Sequence, residues 1–177
     1  MKIQVSLIPE EGHQLEYTLD GDWYQEILQE GGGIDFRIHP ARVAAVIHKI
    51  LETVTLDISV ETALELDCGR CLESFTLPVQ SVFRYTMVPA READQEEDLA
   101  GEDISFGYYH DDLINLDALV WEQILLQVPM KPLCAEACRG LCARCGASLN
   151  TASCECSPGG ADSRLEALKK FTVKKQP

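Results

Sequence analysis

The sequence has no long apolar run and few basic residues. No apolar stretch approaches the roughly 20 residues that a membrane-spanning helix requires, so we expect no membrane segment. The residues after Met1 lack the apolar core of a secretory signal, so we expect a cytoplasmic protein whose thiols stay reduced. Lys and Arg number 15 against 29 Asp and Glu, a formal net charge of −14. This balance disfavours general nucleic-acid binding, which depends on neutralising phosphates.

The usual signatures of catalysis are also missing. The sequence contains no Gly-x-Ser-x-Gly, no His-Glu-x-x-His and no phosphate-binding loop, since no Lys-Ser/Thr pair follows the glycines at 31–33. The histidines (His13, His39, His48 and His110) are scattered, and none neighbours a cysteine. We therefore expect a protein that is not an enzyme.

The charge is distributed unevenly along the chain. Residues 90–103 hold seven acids with no base after Arg91, which predicts a solvated linker. Residues 162–177 carry +3, whereas residues 1–161 carry −17. An acidic body with a basic tail suits a basic protein partner better than bare RNA, with RNA contact through the tail left open. The alternative is that the acidity only maintains solubility.

Cysteine is the residue type that this chain concentrates. Six of the eight cysteines lie between Leu133 and Cys156, and the other two form Cys68-Gly-Arg-Cys71. A second Cys-x-x-Cys pair, at 142 and 145, is followed by Gly146, which permits the positive φ that a sharp turn often needs. Two such pairs predict zinc, with disulfides or an iron–sulfur cluster as alternatives. The predicted metal ligands are Cys68, Cys71, Cys134, Cys138, Cys142, Cys145, Cys154 and Cys156.

The sequence leaves the pairing of these thiols open. The preferred partition puts Cys68, Cys71, Cys134 and Cys138 on one ion and Cys142, Cys145, Cys154 and Cys156 on another. The rival partition joins the two Cys-x-x-Cys turns, as in a zinc ribbon. A closed four-thiolate site leaves no position for substrate, so either partition predicts a structural role. A redox role for the first pair is a lesser alternative, because it would need a βαβ setting.

Apolar periodicity predicts an α+β fold. Alternation predicts strands over 2–8, 13–19, 34–38, 54–67 and 75–87, whereas 42–51 is ambiguous between helix and strand. The two long strands place the first cysteine pair at a hairpin tip, and Pro78 implies an edge position or a bulge. Helical spacing predicts a helix over 116–127 capped by Asn115, a short helix after Asp22 and a final helix within 162–171.

These elements predict three parts. Residues 1–89 form a β-rich domain, residues 90–112 the acidic linker, and residues 113–177 a helix, a cysteine-rich zinc module and a basic tail packed on the first part. The sheet is expected to be mainly antiparallel, either open or curled towards a barrel.

Several motifs occur in the order seen in one protein family. They are Cys68-Gly-Arg-Cys71-Leu72, the helix 116–126, Pro129-Met-Lys-Pro-Leu-Cys134, and Gly140-Leu-Cys-Ala-Arg-Cys-Gly146 with Leu149-Asn150. With them the chain resembles the YceD family of large-ribosomal-RNA-subunit accumulation proteins. That family usually has Leu-Cys-Pro-x-Cys-Gly in the last loop, where Ala143 replaces the proline. The resemblance also favours the preferred partition, because some relatives lack the second cysteine set while retaining the first pair.

The resemblance implies a bacterial or plastid factor needed for normal levels of large-subunit ribosomal RNA. We therefore expect a non-enzymatic zinc-binding factor in ribosome assembly or ribosomal RNA processing, with a basic assembly or processing protein as its partner. The alternatives are an adaptor or chaperone for a basic ribosomal protein, and a direct RNA binder.

Overall fold

The computed structural model describes residues 1–21, 23–28, 36–90 and 106–156. Several features of the sequence lie outside these residues: Asp22 before the predicted short helix, the glycines at 31–33, most of the acidic linker, the final helix and the basic tail. The described elements are β1 (Lys2–Gln4), a 3-10 helix (Val5–Leu7), β2 (His13–Leu19), α1 (Gln25–Leu28), β3 (Arg37–Ile38), β4 (Ala41–Ile50), β5 (Thr53–Asp67), β6 (Ser74–Pro89), β7 (Phe106–Tyr109), β8 (Leu113–Asn115) and α2 (Leu116–Gln127).

Six of the described strands form the main sheet. Its order is β2-β4-β5-β6-β7, and β3 pairs with β5 beyond the end of β4. All neighbours are antiparallel except β6 and β7, which run parallel from Thr86 opposite Phe106. Within the described residues β2 and β7 end the strand order, so the sheet is open and the barrel-like alternative is not observed. A separate antiparallel pair joins β1 to β8.

The β5–β6 hairpin follows from strict alternation along β5. Its even-numbered side chains face the core, and Leu56, Ile58 and Leu64 are almost completely buried. The register runs from Val54 opposite Met87 to Asp67 opposite Ser74, which leaves 68–73 as the hairpin tip. The predicted tip position of the first cysteine pair is therefore confirmed. Pro78 lies opposite Ala63, on a part of β6 with no second strand partner among the described residues, which agrees with the predicted edge position.

The ambiguous segment 42–51 lies mostly in β4. Its inward residues Ala41, Val43, Ala45 and Ile47 are buried, a period-2 pattern that the β-branched side chains favour. The strands β7 and β8 were not predicted, because three or four residues are too few to show a period. No helix in the described ranges is both long and apolar enough to cross a membrane.

The predicted helix over 116–127 is confirmed as α2. Its core face buries Leu116, Val120, Trp121 and Ile124, and it contacts β6 and β1. Asn115 stands at the N-cap, but its side chain makes no capping hydrogen bond. Trp121 stacks on Tyr24 beside α1 with ring centroids 5.5 Å apart. The proline-containing segment after α2 then leads to the cysteines.

Candidate metal centres

The first cysteine cluster joins the β5–β6 hairpin tip to the segment that follows α2. The Sγ atoms of Cys68, Cys71, Cys134 and Cys138 all lie within 4.8 Å of one another. A backbone hydrogen bond holds the hairpin tip against this segment, because the Gly69 N–H donates to the Pro132 carbonyl over 2.8 Å. Cys68, Cys71 and Cys138 are buried and form a small apolar cluster with the partly buried Phe75, Leu133 and Leu141.

The sulfur spacing of the first cluster fits a tetrahedral metal ion. Zinc binds sulfur at about 2.3 Å, so four sulfurs around one zinc lie about 3.8 Å apart. The Sγ atoms of Cys68 and Cys138 are 3.8 Å apart, and those of Cys71 and Cys134 are 3.6 Å apart. A disulfide would require about 2.05 Å, and none of the eight cysteines forms one. The donor set therefore fits zinc.

The second cluster is local in sequence. The Sγ atoms of Cys142, Cys145, Cys154 and Cys156 also lie within 4.8 Å of one another. A backbone bridge between Leu141 and Ser148 and a 2.8 Å hydrogen bond from the Cys142 N–H to the Ala147 carbonyl close the loop. This cluster is more open to solvent than the first, since Cys145 is exposed and the other three are half-buried. It needs no long-range contact to bring its thiols together.

The two Cys-x-x-Cys turns repeat the same hydrogen bonds. In the first, the Arg70 N–H donates to Cys68 Sγ (3.4 Å) and the Leu72 N–H to the Cys68 carbonyl (2.9 Å). In the second, the Arg144 N–H donates to Cys142 Sγ (3.5 Å) and the Gly146 N–H to the Cys142 carbonyl (2.9 Å). Gly146 has the positive φ of 71° that the sequence predicts, and Leu72 has φ 60° at the equivalent position. A leucine therefore occupies a position that favours glycine.

Arg70 and Gly140 hold the two clusters against each other. The Arg70 guanidinium donates from Nη1 to the Cys138 carbonyl (2.8 Å) and to the Glu136 carbonyl (3.2 Å). In the opposite direction, the Leu141 N–H donates a hydrogen bond to the Arg70 carbonyl over 3.2 Å. Gly140 has φ 74°, and a Cβ there would lie 2.9 Å from the Arg70 carbonyl oxygen. Only glycine allows this close approach without displacing the backbone.

The loop of the second cluster also contacts the first. Asn150 donates from Nδ2 to Cys138 Sγ over 3.3 Å, and its Oδ1 accepts from the Arg139 N–H over 2.8 Å. Ser148 Oγ donates to Glu73 Oε1 over 3.2 Å, which links this loop to the hairpin tip. The clusters are thus adjacent parts of one module rather than independent sites.

Comparison with known proteins places the chain in a family. The sequence profile of the family described as "Large ribosomal RNA subunit accumulation protein YceD" matches residues 56–172. The chain belongs to the YceD family. The match includes all eight cysteines, β5 from Leu56 onward, and the whole of β6 and α2. The resemblance seen in the sequence is therefore confirmed.

The YceD relatives are distant in sequence. "Large ribosomal RNA subunit accumulation protein YCED homolog 1, chloroplastic" of Arabidopsis thaliana is 27% identical over 66% of this chain and 44% of its own length. An uncharacterized Mycobacterium leprae protein is 28% identical over 62% and 49%. The chain thus spans about half of either relative. The uncharacterized Bacillus subtilis protein YlbN is 26% identical over 95% of this chain and 92% of its own. No solved structure matches the chain.

Backbone donors favour the thiolate form of one cysteine in each YceD cluster. N–H groups, first that of Cys134 and then that of Arg70, lower the pKa of Cys68 to about 6. The Cys145 and Arg144 N–H groups lower the pKa of Cys142 to about 6 in the same way. The Asn150 amide lowers the pKa of Cys138. Each cluster therefore holds sulfur already suited to bind a cation, since the thiolate is the metal ligand.

Neighbouring thiols have the opposite effect on one cysteine in each cluster. Contact with Cys138 and Cys71 raises the pKa of Cys134 to about 12. Contact with Cys145, together with burial, raises the pKa of Cys156 to about 12. Four close sulfurs do not carry four negative charges without a cation between them. The four thiols of a cluster therefore need a bound cation before all of them can be deprotonated, as expected of a metal site.

The structure groups the cysteines as in the preferred partition and not as in the rival one. That they bind metal stays a prediction. The first pair lies on a β-hairpin rather than in a βαβ unit, which disfavours the redox alternative. Sequence reasoning missed the roles of Leu72, Gly140 and Asn150. Of these three roles, the sequence carried a signal only for Leu72. It directly follows a Cys-x-x-Cys pair, as Gly146 does, and this position could have suggested a positive φ.

Proposed function

We propose that the chain is a non-enzymatic, zinc-binding factor in the accumulation of large-subunit ribosomal RNA. The observation that carries the proposal is the pair of four-sulfur clusters with metal-like spacing, in a chain whose family is described by that process. All four thiolates of each cluster would bind the ion, which leaves no position for a substrate. The zinc ions would be structural, and the role in RNA accumulation would depend on binding a partner.

Zinc would supply the cross-links that the apolar core does not provide. The buried core of the sheet and α2 is one cluster of side chains, and the cysteine region is another. In isolated zinc-finger peptides, metal binding contributes on the order of 10 kcal/mol to folding. We infer that metal fixes residues 132–156 on the hairpin tip and so forms the module's surface. Arg70 and Arg139, which donate to carbonyls in this module, would help to offset the negative charge of the metal–thiolate groups.

The proposed partner is a basic protein of ribosome assembly or ribosomal RNA processing. The net charge of −14 favours a partner of opposite charge over bare RNA. The second candidate function is therefore an adaptor or chaperone for a basic ribosomal protein. Direct RNA contact would fall to the basic residues within 162–177. The proposed place of action is the cytoplasm, where bacterial ribosomes assemble.

Metal content tests the first part of the proposal. Protein purified without added zinc should contain two zinc ions per chain by elemental analysis, with no readily reactive thiol. One zinc and four reactive thiols would restrict the proposal to a single site and reopen the redox alternative. Iron, or no metal, would overturn it.

A complementation experiment tests the second part. A strain lacking the gene should show reduced large-subunit RNA relative to small-subunit RNA, and the wild-type chain should restore the ratio. The variant Cys71→Ser should fail, whereas Ser153→Ala, an exposed position beside Cys154, should succeed. Full restoration by Cys71→Ser would contradict a role for the first metal site. Purified chain that binds bare RNA with a steep dependence on salt concentration would favour the RNA-binding alternative.

A further inference from the structure

The sheet end opposite the metal clusters exposes three large apolar side chains. Leu51, in the β4–β5 turn, is 88% exposed, Ile50 beside it is 74% exposed, and Leu7 of the 3-10 helix is 75% exposed. The strand β5 begins at this turn and ends beside Cys68. Fifteen residues of extended strand separate the two ends by roughly 45 Å.

Hydrogen bonds bring three separate segments together at this end. The Lys49 ammonium donates to the Val5 carbonyl over 2.9 Å, which holds the 3-10 helix beside the β4–β5 turn. The Val5 N–H donates to the Asp112 carbonyl over 2.8 Å, and the Tyr109 hydroxyl donates to the Glu52 carbonyl over 2.8 Å. The β4–β5 turn, the 3-10 helix and residues 109–112 therefore lie at the same end of the sheet, which we call the distal end.

The backbone of the distal end is strained. Leu51 is the first residue of a two-residue hairpin loop and has φ 56°. When only the first loop residue has positive φ, that position normally takes glycine. Asp111 and Asp112 at the same end also have positive φ, but aspartate tolerates this conformation, so the strain lies at Leu51. Strained backbone of this kind concentrates at functional sites.

Leucine at position 51 is favoured neither by the backbone conformation there nor by burial of its side chain. The left-handed backbone disfavours its Cβ, and its side chain gains nothing from the core because it is exposed. Asn, Asp or Gly would suit such a turn better on both counts. Contact with another molecule would account for both features, because binding would bury the side chain.

The charges around the apolar side chains indicate the class of that molecule. Glu52 and Asp111 are exposed at the distal end. Lys49 is half-buried and bonded to a carbonyl, so the exposed charges of the β4–β5 turn and of residues 109–112 are acidic. An acidic surround attracts a basic partner and repels RNA and anionic lipid.

We propose that the distal end binds a lysine- or arginine-rich protein segment, with Leu7, Ile50 and Leu51 making the apolar contact. The surface does not involve the metal clusters. Only the identification of the segment as part of a ribosomal or processing protein rests on the proposed function.

The test uses the full-length, metal-containing chain and a fluorescent amphipathic peptide of leucine and lysine. A peptide of serine and lysine with equal charge controls for electrostatic attraction alone. The decisive variant is Leu51→Gly, which removes the side chain and relieves the backbone. Its matched control is Leu72→Gly, because Leu72 is also left-handed and exposed but lies at the opposite end.

We expect the wild-type chain to bind the leucine–lysine peptide more tightly than the serine–lysine peptide. Leu51→Gly should weaken binding about tenfold, as loss of a central apolar contact does, and Leu72→Gly should leave it unchanged. Neither variant should lower the thermal midpoint or the metal content, because each change to glycine relieves a left-handed backbone, so weaker binding would not reflect unfolding. The proposal is overturned by no binding of either peptide, by equal binding of both, or by an unchanged Leu51→Gly. It is also overturned if a fluorescent RNA oligomer binds the wild-type chain directly and Leu51→Gly weakens that binding. If the peptide experiment failed in one of these ways while the protein still contained two zinc ions per chain, only the docking proposal would be wrong and the zinc proposal would stand.

Discussion

Asn150 donates a hydrogen bond from Nδ2 to the Sγ of Cys138 over 3.3 Å. The donor comes from the loop of the second cluster, and the acceptor is a proposed ligand of the first. An N–H···S bond stabilises the thiolate and orients it, as outer partners of metal ligands generally do. The first cluster therefore has this outer hydrogen bond only when the second loop is folded.

We predict that Asn150→Ala weakens metal binding at the first cluster by about 10- to 100-fold, the usual effect of losing an outer partner. Asn150→Asp should weaken it at least as much, because a carboxylate cannot donate and adds negative charge beside the thiolates. The measurement is competition for zinc with a chromophoric chelator. Thr151→Ala, at the exposed neighbouring position, is the control and should behave as wild type. Unchanged affinity in Asn150→Ala would show that the hydrogen bond has no effect on the metal.

Leu72 and Gly146 provide a second prediction, because they occupy equivalent positions with φ of 60° and 71°. Leu72→Gly should raise the free energy of unfolding by about 0.5–1 kcal/mol, since relief of the left-handed backbone exceeds the entropic cost of glycine. Gly146→Ala should lower it by about 1 kcal/mol, although its Cβ would meet no atom within 4 Å. Denaturant unfolding of metal-loaded protein measures both. Changes of the same sign in the two variants would show that the turns are not equivalent.

The long elements could be predicted from sequence because their signal is repeated many times. The alternation of β5 extends over 15 residues, and α2 shows several turns of apolar spacing, so both were correctly placed. Elements such as β7 and β8 are too short to carry a period, and the parallel pairing of β6 with β7 depends on a crossover that no local pattern encodes. The sequence of β4 fits a helix or a strand when read alone, and in the fold β4 pairs with β2 on one side and β5 on the other.

The grouping of the cysteines could be predicted from the sequence, whereas the contacts that hold the two groups together could not. Cysteine is chemically distinctive, so all eight residues could be named from spacing alone. Asn150 and Gly140 act through contacts with residues far along the chain or across a turn, such as the 2.9 Å approach of a Gly140 Cβ to the Arg70 carbonyl. Amide and glycine residues are common in loops for other reasons. Their roles therefore became visible only in three dimensions.

Metal removal gives a third prediction, because the two tryptophans report on a different region from the cysteines. Trp23 and Trp121 pack together beside α1 with ring centroids 6.1 Å apart. Chelation should leave their fluorescence emission unchanged while the cysteine module opens, since the sheet core is a separate apolar cluster. Trypsin should then cleave faster after Arg139 and Arg144. A large emission shift on chelation would show instead that the metals support the whole fold.

The direction of the Asn150–Cys138 bond predicts an asymmetry between the clusters. The second cluster is formed by residues 142–156 alone, whereas the first takes a donor from the second loop. Cys145→Ser should therefore abolish the second metal site and also weaken the first. Cys71→Ser should abolish the first site and leave the affinity of the second close to that of wild type.

Two-phase zinc titration of both variants measures this asymmetry, with Ser153→Ala as the control for a change beside a proposed ligand. If Cys71→Ser weakened the second site as strongly as Cys145→Ser weakened the first, support between the clusters would be mutual. The contacts of the hairpin tip with the second loop, such as Glu73 with Ser148 at 3.2 Å, would then be the main link. If neither variant affected the remaining site, the clusters would bind metal independently, and the hydrogen bond from Asn150 would serve only to pack the loop.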